Sequence, residues 1–274
     1  MDFNNIVSAV FSTVFASENV IQFTFFVACV AFMIGIAAGF VDSTVGGGGL
    51  VAFPCLVFLG IPPHITLATN KMQSAIGTAA ATWHFYKEGM IDVKKFFPLA
   101  FFLSMFWAIV GVFVLKQIPS HALGKIIPMI MVGILIYKIA YFNHGSVQSH
   151  KPLIKTSIFI IIFTTILGFY DGFFGPGAGT FWIFAFVTFL GMSSLQASAN
   201  TKPLNLASNI GSLFVFIPSG LICYKIALLM GLGQIIGAKF GVKVSMKKGS
   251  KFINIMFVVV MSLMVIRLII KYYS

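Results

Sequence analysis

Gly39-Phe40-Val41-Asp42-Ser43-Thr44-Val45-Gly46-Gly47-Gly48-Gly49 recurs 129 residues later as Gly168-Phe169-Tyr170-Asp171-Gly172-Phe173-Phe174-Gly175-Pro176-Gly177-Ala178. The first, second, fourth, eighth and tenth places are identical. Two residues are inserted after this stretch, so the offset becomes 131. Leu59-Gly60 then matches Leu190-Gly191, Ala68 matches Ala199 and Lys71 matches Lys202. Ser74 matches Asn205 and Gly89 matches Gly220. The match is imperfect within the loops, where Leu50 stands opposite Gly179. Chance supplies glycines readily, but not an Asp and a Lys at matched places within apolar surroundings. The chain is therefore read as two copies of one unit.

The surroundings say what kind of unit it is. Of 274 residues, 59% are apolar and 9% charged, with 32 Phe. A soluble domain carries roughly 25% charged residues. This chain has too little charge to coat a surface in water and would expose large apolar patches there. A polytopic membrane protein is the reading that fits. Eight segments approach the roughly 20 apolar residues of a spanning helix. They lie near 20–41, 65–86, 96–115, 125–142, 156–171, 195–217, 222–242 and 252–270. Two shorter pieces, 49–60 and 180–190, directly follow the glycine stretches. Twelve residues rise only about 18 Å, short of the ~30 Å hydrocarbon core. They read as half-helices entered through an unwound loop, which a membrane tolerates only where protein or a cavity surrounds it.

Each unit then has the order long helix, glycine loop, half-helix, polar-studded helix, helix, helix. If all five elements cross, the count is odd and the two units sit with opposite orientation. Inverted repeats with matched broken helices are the pattern of secondary transporters, with the site near the midplane. The expected organisation is an N-terminal segment 1–19, repeat 1 over 20–142 and repeat 2 over 156–270, forming one transport domain. The fold class is all-α: about eight full-length helices plus two half-helices in two inverted repeats.

Charge sets the orientation. There are 18 basic and 6 acidic residues, a net charge of +12. With ten crossings, Lys87, Lys94, Lys95, Lys151, Lys155, Lys243, Lys247, Lys248 and Lys251 share one side. Lys116, Lys125, Lys225, Arg267 and Lys271 share the other. The positive-inside rule places the larger group in the cytoplasm and both termini outside. The basic excess is thus topological, and no nucleic-acid partner is expected. Met1 to Val20 has no basic n-region and carries Asp2 and Glu18, unlike a cleaved signal peptide.

Intramembrane charge is the most informative feature. Asp42 and Asp171 stand just before the glycine loops. Lys71 sits among Thr69, Asn70, Gln73 and Ser74, and Lys202 among Asn200, Thr201, Asn205, Ser208 and Asn209. Each such charge costs about 2.5–3.5 kcal/mol at a helix centre. They must be paired, wetted or close to the interface. A helix N-terminus offers free N–H groups and the positive end of a dipole, and with a nearby Lys it forms an anion site. The expected substrate site therefore comprises Gly46, Gly47, Gly48, Gly49, Asn70, Lys71, Gln73, Ser74, Gly175, Gly177, Gly179, Thr201, Lys202, Asn205 and Asn209. Asp42 and Asp171 are candidates for proton coupling.

Plainer readings stand beside these. The glycines can serve close packing, as Gly35/Gly39 and Gly233/Gly237/Gly241 do by their spacing. The lysines can snorkel or form structural ion pairs with Asp42 and Asp171. Lys239, near a helix end, reads as a snorkelling anchor. The five histidines His64, His84, His121, His144 and His150 show no metal spacing and read as interfacial. Cys29, Cys55 and Cys223 form no C-x-x-C pair. Gly46–Gly49 lacks the Lys-Ser/Thr that would make it a phosphate loop, and no nucleophile motif stands in a credible context. No enzyme activity, cofactor or metal is expected.

The motifs as a set resemble a known family. Gly39-Phe40-Val41-Asp42 with Gly46–Gly49, Pro54, Gly60 and Ala68-Thr69-Asn70-Lys71 resembles the first signature of the TauE/SafE family, the sulfite-exporter or DUF81 group. Gly168 to Gly179, Ser208-Asn209-Ile210-Gly211 and Gly233-Gln234 running into Gly237-Ala238-Lys239 are similar to its YfcA-type branch. The resemblance implies a bacterial inner-membrane, multi-pass transporter of small sulfur-containing or carboxylate anions such as sulfite and organosulfonates. It implies a role for the loop glycines, Lys71 and Lys202. The expected partners are the small anion and the lipid bilayer, and transport is expected to draw on an ion gradient. The alternative is a non-transporting membrane scaffold or assembly protein whose glycine motifs serve helix packing.

Overall fold

A computed structural model describes residues 17, 20, 22–92, 98–142, 151–248, 258, 262, 265, 266, 269 and 270. Among these residues the chain is all-α. Nine helices follow in order: α1 (Phe25–Val45), α2 (Gly48–Phe58), α3 (Pro63–Lys87), α4 (Leu99–Leu115), α5 (Ser120–Phe142), α6 (Thr156–Phe173), α7 (Ala178–Leu190), α8 (Ser194–Phe216) and α9 (Tyr224–Lys248). They cover seven of the eight expected long spans and both half-helices. Most of the eighth span and of segment 1–19 lies outside the described residues, as do Lys94, Lys95, Lys251, Arg267, Lys271, His144 and His150.

Local chemistry sets the element ends. Thr24 Oγ1 accepts from the Val27 N–H and caps α1. Gly46, at φ 74°, terminates α1 in the left-handed region, its N–H donating to the Asp42 carbonyl at 2.9 Å. Pro63 opens α3 at a position where a missing N–H costs nothing. The breaks before the half-helices are tighter than an extended unwound loop. Two residues separate α1 from α2, and four separate α6 from α7. At 11 and 13 residues, the half-helices span about 16 and 20 Å.

The repeat recurs in the backbone. Seven described residues have positive φ, all glycine. Six form matched pairs: Gly46 with Gly175, Gly60 with Gly191, and Gly89 with Gly220, the last pair both at φ 67°. Packing also exchanges between the halves. Helix α1 packs on α9 and α6 on α4, while α3 and α8 meet at the centre. Glycines permit the close crossings. A Cβ on Gly39 would stand 2.5 Å from the Gln234 carbonyl oxygen, and one on Gly172 would stand 2.5 Å from Ala108 Cα. The packing reading of Gly35/Gly39 and Gly233/Gly237/Gly241 therefore holds.

The layers run from apolar outside to polar inside. Phe25, Phe102, Phe106, Ile161, Phe214 and Phe240 are exposed, as suits a lipid-facing shell. Helices α1, α6 and Tyr224–Lys247 of α9 are long and apolar enough to cross a membrane. The central α3 and α8 are as long but polar, and their polar side chains are buried by neighbouring helices. This is where a membrane protein keeps groups that lipid cannot satisfy.

Candidate functional site

Helices α3 and α8 present their polar faces to each other and to both glycine breaks. The Lys71 ammonium donates to Asp171 Oδ1 at 2.5 Å, both side chains being about 95% or more buried. Lys202 is wholly buried and donates to Asp42 Oδ2 at 3.0 Å and to the Asp42 backbone carbonyl. Each lysine thus pairs with the aspartate of the other repeat. A second exchange accompanies it. Thr69 Oγ1 accepts the Cys223 N–H at 3.1 Å, and the matched Asn200 Oδ1 accepts the Asp92 N–H at 2.9 Å. Both partners are again related by the 131-residue offset.

The two glycine breaks touch. A Cβ on Gly46 would lie 2.5 Å from the Gly179 carbonyl carbon, and one on Gly179 would lie 2.5 Å from the Gly46 carbonyl oxygen. Thr180 Oγ1 donates across the break to the Val45 carbonyl at 3.1 Å. Only residues without a Cβ allow this approach. Tyr170 holds the second loop by donating its hydroxyl to the Pro176 carbonyl at 2.9 Å.

A cavity of about 20 Å³ lies between the breaks and the central helices. It is lined on one half by Asp42, Gly46, Gly49, Asn70, Lys71, Ser74 and Thr78. Asp171, Gly175, Gly177, Ala178, Asn205 and Asn209 line it from the other half. Gly49 and Ala178 belong to the first turns of α2 and α7, so both half-helix N-termini border the space. The volume holds about one water-sized object. Asn205 Oδ1 is buried here without a hydrogen-bond partner among the described residues.

The residues expected at the substrate site fall into two groups. Gly46, Gly49, Asn70, Lys71, Ser74, Gly175, Gly177, Asn205 and Asn209 line the cavity, together with both aspartates. The other six lie beside it and serve the framework. Gly48 packs against the Asp42 Cβ, and Gly179 packs against Gly46. Gly47 caps α2. Gln73 bonds Asn70 and Gln234, Thr201 bonds the Ala197 carbonyl, and Lys202 is spent on Asp42. Two further lining residues, Thr78 and Ala178, lie outside the expected set. Thr78 was detectable, because it stands opposite Asn209 at the repeat offset.

Comparison with known proteins adds an independent finding. A family model described as sulfite exporter TauE/SafE matches residues 31–268. A "Probable membrane transporter protein ORF9" from Sinorhizobium sp is 38% identical over 238 residues, covering 87% of this chain and 90% of the relative. "Probable membrane transporter protein YfcA" of Escherichia coli is 35% identical over 243 residues, covering 88% of each. A "Probable membrane transporter protein" of Haemophilus influenzae is 33% identical over 235 residues, covering 86% and 91%. No solved structure matches the chain.

Proposed function

The chain belongs to the sulfite exporter TauE/SafE family, and on that premise we propose that it is a secondary transporter of a small anion. One observation carries the reading. The Lys71–Asp171 pair lies at a cavity bordered by the N-terminal turns of both half-helices. Those turns favour negative charge, and Lys71 supplies a full positive charge beside them.

In this state Asp171 occupies the lysine, so the pair is internally neutral. An incoming anion takes the place of the Asp171 carboxylate at Lys71. A carboxylate left alone in this interior is costly, so the exchange is favoured when Asp171 takes up a proton. Anion and proton binding are then coupled at one pair. Lys202 plays a different part. Its bond to the Asp42 carbonyl neutralises the C-terminal end of α1, where a cation is favourable. By family, the substrate is a small sulfur-containing or carboxylate anion, and the membrane is the bacterial inner membrane. By charge bias, both termini are outside, with the repeats inverted.

The scaffold reading has one observation in its favour. Both lysines and both aspartates already have partners inside the protein. A thermal-shift panel of sulfite, sulfate, thiosulfate, sulfonates and small carboxylates separates the two. Binding at a hundredfold excess over Kd stabilises by about 2.7 kcal/mol. Transport predicts a shift with at least one anion that Lys71→Met abolishes. A scaffold predicts no shift with any of them.

A further inference from the structure

Gln234 lies on α9, outside the cavity, yet it is buried and connected to the cavity by side-chain amides. Its Nε2 donates to Gln73 Oε1. Gln73 Nε2 donates in turn to Asn70 Oδ1 at 2.7 Å and to Ser74 Oγ at 3.2 Å. The Asn70 oxygen is thereby turned toward Gln73. Its Nδ2 has no acceptor among the described residues and lies at the cavity beside Gly49.

We infer that Gln234 is a positioning residue of this site, orienting the chain Gln234 to Gln73 to Asn70 so that Asn70 presents N–H groups to the bound anion. The inference rests on the small-anion reading above and deepens it by naming what holds the donor in place. An amide has one donor end and one acceptor end. Fixing the oxygen of each amide by the N–H of the one before leaves a donor at the far end. The surrounding backbone is built to admit the first member. A Cβ on Gly77 would overlap the Gln234 carboxamide, and Gly39 lets the Gln234 backbone approach α1. The chain exists in one half only. Leu204 stands opposite Gln73 and Leu103 stands opposite Gln234 at the repeat offset. The framework is therefore two-fold, but this donor is not.

Two substitutions in the full-length purified protein test the inference. Gln234→Glu keeps the shape but offers Gln73 an acceptor instead of a donor. Gln73 then turns its N–H groups toward position 234, its oxygen toward Asn70, and Asn70 turns its oxygen to the cavity. Gln234→Met removes the donor without adding charge, and carries the comparison if the Glu variant fails to fold. The probes are sulfite, sulfate, thiosulfate, methanesulfonate and acetate, read by thermal shift and by proteoliposome uptake. Both variants are expected to weaken affinity for the responding probe about tenfold, as for loss of a hydrogen bond to a charged group. The transport KM should rise while the maximal rate is kept, a split that a loss of folding alone does not produce. Unchanged Kd and KM in both variants, with a responding parent protein, overturn this inference alone. A parent protein that responds to none of these probes overturns the anion reading and this inference with it.

Discussion

Lys71 and Asp171 lie 100 residues apart and meet at 2.5 Å across the boundary between the two repeats. Lys202 and Asp42 repeat the exchange across 160 residues. Neither half can satisfy its own buried charges, so the halves must assemble for either to be stable.

This interdependence makes Lys71→Met costly for folding as well as for binding. Removing one partner of a buried pair strands the other charge at about 3–5 kcal/mol. The double variant Lys71→Met/Asp171→Asn should recover most of that loss while remaining unresponsive to anions. Thermal unfolding of both variants, with and without anion, checks this. Recovery of the anion response in the double variant would show that Lys71 does not hold the substrate.

The two lysines should separate by phenotype. Lys202 lies off the cavity and bonds both the side chain and the backbone of Asp42. Lys202→Met is expected to lower stability at least as much as Lys71→Met. Where some folded protein remains, its anion affinity should also fall, because the cavity-lining Asp42 loses its counter-charge, but it should fall less than in Lys71→Met, since Lys202 does not itself line the cavity. Melting temperature and anion Kd measured on the same sample decide between the two roles.

Asp171→Asn removes the proton acceptor and keeps the shape. Coupled transport predicts that anion flux in proteoliposomes loses its response to an imposed pH gradient. A variant that still follows the gradient as the parent does would assign coupling elsewhere.

Glycine substitutions should divide by site. Gly46→Ala meets both a left-handed backbone and the Gly179 carbonyl. The conformation alone costs roughly 1–2 kcal/mol, and the contact adds to it. Gly133 in α5 has open space around its Cβ direction, so Gly133→Ala should be stabilising by about 0.5–1 kcal/mol. Unfolding of the two variants in detergent gives the comparison.

Membrane orientation has its own test. Glu88 and Ser219 flank the matched turns at Gly89 and Gly220. In a background lacking Cys29, Cys55 and Cys223, Glu88→Cys and Ser219→Cys should label from opposite faces of the membrane. Labelling from one face would make the repeats parallel.

Much of this fold is written locally. Apolar runs and helix-ending residues place α1 to α9 within about six residues, because hydrophobic length and capping act over one helix. The repeat in Gly39–Gly49 and Gly168–Ala178 marks the breaks, and the matched charges mark the central helices. None of this says which aspartate each lysine meets. Sequence offsets relate equivalent residues, whereas ion pairs depend on how α3 and α8 cross. The same limit hid Gln234, whose connection to Asn70 needs α9 against α3 and the gap at Gly77. Residue order is thus enough to read the helices, the two-fold plan and the four matched charges. It took the assembled helices to pair those charges between halves and to bring Lys71 but not Lys202 to the cavity. The difference is one of range: hydrophobic periodicity is read along a helix, but partners for buried charge are chosen by packing between helices distant in the chain.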